Sequence, residues 1–332
     1  ILHRYGLIRS NWAALTLSLA ALAGMMFTSE VFALFLLNFV FGVGLIIRWV
    51  ACDIWIIAIS PIDLRGRAVG THETLMGCGI AAGPLVLAFC GFSGPWPFIV
   101  CVSLLGLSGG VLAFMNRNDV KPCVPLSADR RASMLHIAPT AVAAGCLAGL
   151  AETASISFLP ILGEQQMVAL SASVVLIAFG LGGTMLQLPL GWLADRAGYR
   201  WAQLFVVCLL FLCSILMLLL SGQPLALALV LFFLGGTVVG MNTLAVVEAG
   251  QRIADDQMST GMLSIALAYT VGSIIGPMLT GMAMAIDPAR GLGVLVAGAS
   301  TSFIALWAYR HRVERLHASM PASIQGDLAT TR

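Results

Sequence analysis

Ionisable side chains inside long apolar stretches are the first residues that could do chemistry. Arg48, Asp53 and Glu152 each lie among neighbours that are mostly apolar. A charge inside a membrane is costly unless it is paired or reaches water, so such residues are expected to face a polar cavity. Glu152 is the first candidate for a proton carrier and Asp53 the second, while Arg48 is predicted to contact a solute or Glu152. The amides Asn38 and Asn242 are predicted to touch the solute, or else to bridge helices.

Other ionisable residues lie nearer the ends of their apolar segments, where a solvated helix end is expected. These are His72, Glu73 and Glu248. His72 and Glu73 are not followed by the second histidine of the zinc-protease motif. Because the sequence also has no metal-ligand spacing, nucleophile–base constellation or phosphate-cradling glycine loop, it predicts neither an enzyme nor an ATP-driven pump. No cofactor or metal site is expected.

Two tracts of small residues have the same spacing in two parts of the chain. They comprise Gly79, Gly83 and Pro84, and then Gly272, Gly276 and Pro277. Small residues at four-residue spacing let helices approach closely in a membrane, and proline bends a helix. A hinge and plain close packing are both open interpretations of these tracts.

A further motif lies in a short basic turn and consists of Gly191, Asp195, Arg196, Gly198 and Arg200. Gly198 is predicted to permit the tight turn, and the positive N-terminus of a neighbouring helix is predicted to hold the Asp195 carboxylate. The two arginines are expected to face anionic lipid. The turn is therefore a candidate cytoplasmic gate, the alternative being a turn that only fixes topology.

The elements that position these residues are apolar segments of membrane-spanning length. The chain is 59% hydrophobic and 10% charged, with a mean hydropathy of +0.98, which excludes a water-soluble fold. Windows of about 20 residues predict ten transmembrane helices. They cover residues 11–29, 31–59, 68–91, 97–115, 135–161, 168–192, 201–221, 225–248, 258–286 and 292–309.

The basic residues fix the predicted orientation. Of the 17 lysines and arginines, all but Arg48 and Arg290 fall in alternate loops or at the two ends of the chain. By the positive-inside rule both termini of this multi-pass membrane protein are expected to be cytoplasmic. The basic residues form no stripe or patch, so nucleic acid is not expected as a partner.

An internal repeat divides the chain into two bundles. The Gly-x-x-x-Gly-Pro tract recurs after 193 residues, and Arg4-Tyr5-Gly6 recurs as Arg196-Ala197-Gly198 after 192. An even number of spans separates the copies, so the repeat is parallel, with a pseudo-twofold axis along the membrane normal. The predicted units are an N-terminal bundle (1–115), a cytoplasmic linker (116–133), a six-span C-terminal bundle (134–310) and a cytoplasmic tail (311–332). Two spans are expected to be missing from the first copy.

The basic turn resembles the G-x-x-x-D-R-x-G-x-R signature of the major facilitator superfamily. A subgroup of bacterial inner-membrane members is similar in two further places, which are Gly42, Gly44, Trp49 and Asp53, and the tract from Tyr269 to Pro277. The resemblance implies an all-α polytopic fold of two bundles, with ten of twelve spans present. The N-terminal copy of the signature has His3 where an acid is common.

What this resemblance implies about function is secondary transport by alternating access. The expected partners are a small organic solute, protons and membrane lipids, and the chain is expected to be a monomer. Gly70, Gly79, Gly83 and Pro84 resemble part of the glycine motif of proton-coupled drug antiporters, although Leu87 and Ala88 replace its closing glycine pair. This partial pattern slightly favours export, whereas Arg48 slightly favours an anionic or zwitterionic solute. A receptor or channel of the same fold is the alternative, and an intramembrane enzyme is a weaker one.

Overall fold

The computed structural model describes residues 6–90, 95–114, 137–165, 170–254 and 257–319. Within these ranges the regular structure is helical throughout, and a short 3-10 turn at Ile62–Leu64 leads into the third helix. In chain order the helices are α1 Leu7–Met25, α2 Val31–Ile59, α3 Arg65–Cys90, α4 Trp96–Phe114, α5 Pro139–Glu164, α6 Ala172–Met185, α7 Gln187–Ala197, α8 Tyr199–Leu219, α9 Pro224–Arg252, α10 Met258–Ile286 and α11 Gly291–Ser319.

Each of the ten predicted spans corresponds to a helix, except that the sixth consists of α6 and α7. The interruption at Leu186 has a covalent cause, because Pro189 has no N–H to donate to the Met185 carbonyl one turn earlier. Eight of the ten segments are long and apolar enough to cross a membrane. The other two, α1 and α3, contain 19 and 26 residues and pack within the same assembly.

The helices form two bundles, as the repeat predicts. In the first, α1 packs on α2 and α4, and in the second, α5 packs on α10 while α9 packs on α6 and α8. The crossing of α6 and α9 has almost no space between the backbones, since a Cβ on Gly182 would lie 1.6 Å from the Phe232 carbonyl oxygen. Glycine is therefore required where these two helices cross.

Contacts between the bundles come mainly from α2 and α3 of the first bundle. Helix α3 packs along α6, α7 and α9, and α2 packs on α10. One end of this interface carries Arg65, Arg67, Arg196, Arg200 and Arg252, and we refer to it as the basic end and to the other as the far end. Both α3 and α7 have a terminus at the basic end, and they run antiparallel from there.

The two glycine tracts differ in their surroundings. A Cβ on Gly272 would lie 2.1 Å from the Cys146 carbonyl oxygen, and one on Gly276 would lie 2.3 Å from that of Leu150, so α10 packs tightly on α5. A Cβ on Gly79 would meet no described atom within 4 Å. The second tract therefore packs closely on α5, whereas no described atom lies near the Cβ position of Gly79.

The remaining residues of these tracts lie inside helices. Pro277 lies within α10, and Gly83 and Pro84 lie within α3, which continues past them to Cys90. The side-chain surroundings of Gly83 and Pro84 fall outside the described residues, as does the predicted linker at 116–133. Helix α11 continues to Ser319, so the beginning of the segment assigned to a tail is helical.

Candidate solute cavity and basic-end gate

A cavity of about 370 Å³ lies between the two bundles. Six helices contribute to its wall, namely α2 and α3 from the first bundle and α5, α6, α9 and α10 from the second. Most of the wall is apolar or aromatic, which is usual for sites that bind small organic molecules. The residues that line it are Trp49, Glu73, Met76, Gly77, Ile80, Glu152, Ile156, Leu176, Phe179, Gly180, Gly183, Thr184, Val239, Asn242 and Tyr269.

Two carboxylates face this cavity from opposite bundles. Glu152 on α5 was predicted from the sequence and accepts a hydrogen bond from the Tyr269 hydroxyl at 3.0 Å. Glu73 on α3 is only 2% exposed, so the solvated helix end expected for it is wrong. The cavity wall contains no lysine or arginine among the described residues. Its polar side chains are therefore two carboxylates, one phenol, one amide, one indole and the Thr184 hydroxyl.

Three side chains separate the cavity from a smaller pocket. Trp49, Asn242 and Tyr269 line both spaces, and the rings of Trp49 and Tyr269 meet edge to face with centroids 5.5 Å apart. Asp53 lines the smaller pocket, which also contacts α9 and α10. Because Trp49 is on α2 and Tyr269 is on α10, this partition joins the two bundles across their interface.

Asp53 belongs to a cluster that the sequence analysis did not assemble. One ligand-type atom from each of Asp53, His72 and Glu73 lies within 4.8 Å of the other two. Asp53 Oδ1, His72 Nδ1 and Glu73 Oε1 are buried, and none has a hydrogen-bond partner among the described residues. The signal available in the sequence was the adjacent His-Glu pair, but only the packing of α2 on α3 shows that Asp53 joins it.

The structure places two of the predicted solute-contacting residues elsewhere. The Arg48 Nη2 atom donates to Ser108 Oγ on α4 at 3.1 Å, and Arg48 lines neither pocket. The predicted contact of Arg48 with Glu152 or a cavity-bound solute is therefore wrong in this conformation. Asn38 is exposed on α2 and also lines neither pocket. Asn242 does line both of them.

A buried amide beside the cavity bridges helices. Gln187 Nε2 donates to the Gly183 carbonyl at 2.7 Å, and the Thr243 hydroxyl donates to Gln187 Oε1 at 2.7 Å. Gln187 is fully buried, and these bonds link the α6–α7 junction to α9. Its side chain therefore has a structural role at the helix break.

At the basic end, Asp195 caps the N-terminus of a helix from the other bundle. Its carboxylate accepts hydrogen bonds from the backbone N–H groups of Gly66 and Arg67, at 2.7 and 2.9 Å, and from Arg67 Nε at 3.1 Å. The predicted position of this carboxylate at a helix N-terminus is thus confirmed. The bonds tie α7 of the second bundle to α3 of the first.

Glycines allow the same two helices to touch backbone to backbone. A Cβ on Gly191 would lie 2.1 Å from the Gly66 carbonyl oxygen. Further along the pair, a Cβ on Gly70 would lie 2.5 Å from the Gln187 carbonyl oxygen. Gly198 joins α7 to α8 with φ of +83°, which confirms the predicted tight turn and favours glycine there.

The arginines of the motif have protein partners. Arg200 Nη2 pairs with Glu314 Oε2 at 2.9 Å, and the Arg196 guanidinium lies 4.0 Å from the centre of the Trp192 ring. Arg200 thus has a carboxylate partner within the protein while its side chain stays 43% exposed, so the expected position of both arginines facing lipid stays a prediction. Arg252 joins this group through Glu314 at 3.0 Å and Glu248 at 3.2 Å.

Glu248 is the best satisfied of the buried acids. It is fully buried, receives hydrogen bonds from the Thr140 hydroxyl and from Gln203 Nε2, and pairs with Arg252. The predicted solvated helix end is therefore wrong for Glu248 as well. Its contacts connect α5, α8 and α9 within the second bundle.

The interface is closed at the basic end and wider towards the far end. Contacts between α3 and the α6–α7 pair run from Gly66 and Gly191 to Gly77, whose Cβ would lie 2.6 Å from Thr184 Oγ1. Beyond that contact Ile80 and Leu176, on the same two helices, line the cavity. Arg65 adds a hydrogen bond to the Gly250 carbonyl at the basic end.

Known proteins with similar sequences are membrane transporters. The uncharacterized MFS-type transporter YfkF of Bacillus subtilis is 26% identical over 278 residues, covering 80% of this chain and 69% of that protein. The uncharacterized MFS-type transporter YcaD of Escherichia coli is 26% identical over 317 residues, covering 92% of this chain and 79% of that protein.

Solved structures show the same fold at low sequence identity. The fucose:proton symporter FucP of E. coli superposes with a TM-score of 0.73 at 13% identity, covering 92% of this chain and 85% of that one. The human organic anion transporter MFSD10 superposes with a TM-score of 0.70 at 15% identity, covering 90% of this chain and 76% of that one. These matches confirm the predicted fold of two helical bundles.

The family profile agrees with both comparisons. The profile of the Major Facilitator Superfamily matches residues 1–277 and, in a second overlapping match, residues 141–323. The predicted absence of enzymatic activity agrees with this family of transporters. The chain belongs to the Major Facilitator Superfamily.

Proposed function

We propose that this transporter moves a small organic solute across the cell inner membrane by alternating access and couples the movement to protons. The observation that carries the proposal is the cavity between the bundles, with Glu73 and Glu152 on opposite walls. A carboxylate next to a water-accessible cavity can gain and lose a proton as the bundles rock. The proposal includes cytoplasmic termini, which the positive-inside rule supports, and a monomeric chain among membrane lipids.

Charge in the cavity determines the class of solute. Because Arg48 donates to Ser108 on α4, it no longer favours an anionic solute. The cavity wall offers carboxylates and aromatic rings instead. Aromatic faces and carboxylates both attract cations. We therefore propose an apolar solute carrying a basic amine, with export as the direction that the partial antiporter glycine pattern favours.

In the proposed mechanism, the contact of α3 with α6 and α7 opens alternately at the basic end and at the far end. If the basic end is cytoplasmic, the structure corresponds to a state closed to the cytoplasm by Asp195 and by the Gly66–Gly191 contact. Protonation of Glu152 from the far side weakens its hold on a cationic solute, which leaves on that side. Rocking of the bundles then exposes the protonated Glu152 to the cytoplasm, where it releases its proton and can bind the next solute. The Tyr269 hydroxyl orients the Glu152 carboxylate during this exchange.

The test is flux in proteoliposomes that contain the purified chain. A thermal-shift screen of amine-bearing organic solutes selects a substrate, and its saturable flux is measured with and without an imposed pH gradient, in buffer with a metal chelator. We expect Glu152→Gln to abolish gradient-driven flux and Asp53→Asn to reduce it strongly. Glu164→Gln, at the exposed end of the same helix α5, is the matched control.

Two results would contradict the proposal. Gradient-driven flux that is unchanged in Glu152→Gln, in Asp53→Asn and in the double variant would remove both acids from the coupling. Flux that rises linearly with solute concentration would favour a channel over alternating access.

A further inference from the structure

We propose that Asp53, His72 and Glu73 bind one divalent transition-metal cation, such as Mn²⁺, at the edge of the cavity. This inference does not depend on proton coupling, because it concerns binding and is tested without transport. The three residues come from two adjacent helices, with Asp53 on α2 and His72 and Glu73 on α3. One donor atom from each lies within 4.8 Å of the other two.

The electrostatics of the cluster require a positive partner. Asp53 is 7% exposed and Glu73 is 2% exposed, and no arginine or lysine of the described residues pairs with either carboxylate. Buried carboxylates in proteins are normally paired with cations, coordinated to a metal or neutralised by protons. Two ionised carboxylates carry the charge that one dication balances.

Orphaned polar atoms of all three residues support a shared ligand. Asp53 Oδ1, His72 Nδ1 and Glu73 Oε1 are buried without a hydrogen bond to any described residue. Groups of this kind rarely stay unsatisfied in native structures, and an unseen ion is one of the standard explanations. Two atoms bound to one metal at about 2.0–2.2 Å lie at most about 4.4 Å apart, so binding would draw the three donor atoms slightly closer than their present separations of up to 4.8 Å.

The donor set selects the class of metal. Imidazole nitrogen with carboxylate oxygen suits Mn²⁺, Fe²⁺, Co²⁺, Ni²⁺ and Zn²⁺, whereas Mg²⁺ and Ca²⁺ prefer oxygen donors only. Three protein ligands leave further coordination positions for water or a solute group. Glu73 also lines the 370 Å³ cavity, so those positions are accessible from it.

The proposal is tested by Mn²⁺ binding to the purified full chain in detergent. Electron paramagnetic resonance measures free Mn²⁺, and we expect one bound ion per wild-type chain, in the presence of excess Mg²⁺. Asp53→Asn, His72→Ala and Glu73→Gln should each weaken binding by at least roughly tenfold, as loss of even outer-shell partners can do. Asp287→Asn removes an exposed acid at the far end and should bind like wild type.

A spectroscopic readout separates ligation from a change in folding. Spin-echo modulation from one imidazole nitrogen should appear in the wild-type Mn²⁺ complex and disappear in His72→Ala, in protein that elutes as a single symmetric peak. No Mn²⁺ bound to wild type, or equal binding in all three variants, would overturn the site. Proton release on raising the pH without any Mn²⁺ binding would assign the cluster to protons.

Discussion

The two copies of the repeat handle buried charge differently. In the first copy Asp53, His72 and Glu73 carry buried atoms that have no hydrogen bond to a described residue. The residues 193 positions later are Val246, Ile265 and Ala266, which are apolar and line the same small pocket as Asp53. The ionisable cluster is therefore on one side of the pseudo-twofold axis, and an apolar surface is on the other.

The second copy has its own buried acid, but that acid is fully partnered. Glu248 is satisfied by a hydroxyl, an amide and an arginine, and its counterpart 193 residues earlier is Trp55. A buried carboxylate whose hydrogen bonds are all made stabilises the packing of the helices around it. A buried carboxylate with an unpaired oxygen can instead bind a proton, a cation or a solute group. The difference indicates a structural role for Glu248 and leaves the Asp53, His72 and Glu73 cluster free to bind a ligand.

The largest effect is expected from removing the partnered acid. Glu248→Leu leaves Gln203 and Thr140 without this acceptor and Arg252 with Glu314 as its remaining carboxylate partner, and loss of one member of a buried pair typically costs roughly 3 kcal/mol or more. Thermal unfolding in detergent, followed by tryptophan fluorescence, should show a much lower melting temperature. Glu164→Leu, at an exposed helix end, is the control, and an equal shift in both variants would contradict the assignment.

Next in size is the contrast between the glycine tracts. Gly272→Leu forces a side chain into the α5 backbone, and overpacking of this kind costs roughly 1–3 kcal/mol or more. Gly79→Leu should leave the melting temperature unchanged, since no described atom lies near its Cβ position. An equal fall in melting temperature in Gly272→Leu and Gly79→Leu would contradict the difference in packing between the two tracts.

A smaller change of opposite sign is expected at the unpaired acid. Glu73→Gln removes a buried charge whose Oε1 atom has no hydrogen-bond partner among the described residues, so in metal-free buffer it should raise the free energy of unfolding by roughly 1 kcal/mol. Added Mn²⁺ should then stabilise wild type more than the variant, because a ligand that binds only the folded state shifts unfolding by mass action. A variant less stable than wild type in metal-free buffer would show that Glu73 is already paired.

The smallest effect is expected at the gate. Asp195→Asn weakens the helix-capping interaction, which is worth about 0.3–1 kcal/mol, so exchange of the Gly66 and Arg67 amides should accelerate by up to about fivefold. Hydrogen–deuterium exchange of the peptide spanning the start of α3 measures this change. Asp287→Asn serves as control, and unchanged exchange in Asp195→Asn would show that the glycine contact alone closes the end.

Much of the fold followed from the sequence because a membrane imposes simple rules. Hydropathy windows located the ten helical segments, of which eight are apolar enough to cross a membrane. The signature turn predicted the helix-capping position of Asp195 and the turn at Gly198. These features depend on local composition and on short-range backbone geometry. The break at Leu186 was also encoded, in Pro189, but was not anticipated because span detection averages over it.

The candidate site was only partly predictable from the sequence. The depth of an ionisable residue in the membrane and the direction in which its side chain points depend on which helices pack around it. Arg48 lies on an apolar helix with no polar face to fix its direction, so its contact with Ser108 could not be foreseen. Glu73 and Glu248 were assigned to solvated ends from their distance along the chain. Helices α3 and α9 contain 26 and 29 residues, and other helices cover the faces that carry these acids.

The absence of side chains at the Gly66–Gly191 contact has an energetic consequence for the transport cycle. When two glycines separate, the surface that becomes hydrated is mostly peptide group, and hydrophobic free energy scales with the apolar area exposed to water. Parting α3 from α7 at this point therefore incurs little hydrophobic penalty. The Gly66–Gly191 contact can therefore break and re-form at low free-energy cost in each cycle. This suits a transporter whose conformational equilibrium is shifted by small differences in binding free energy.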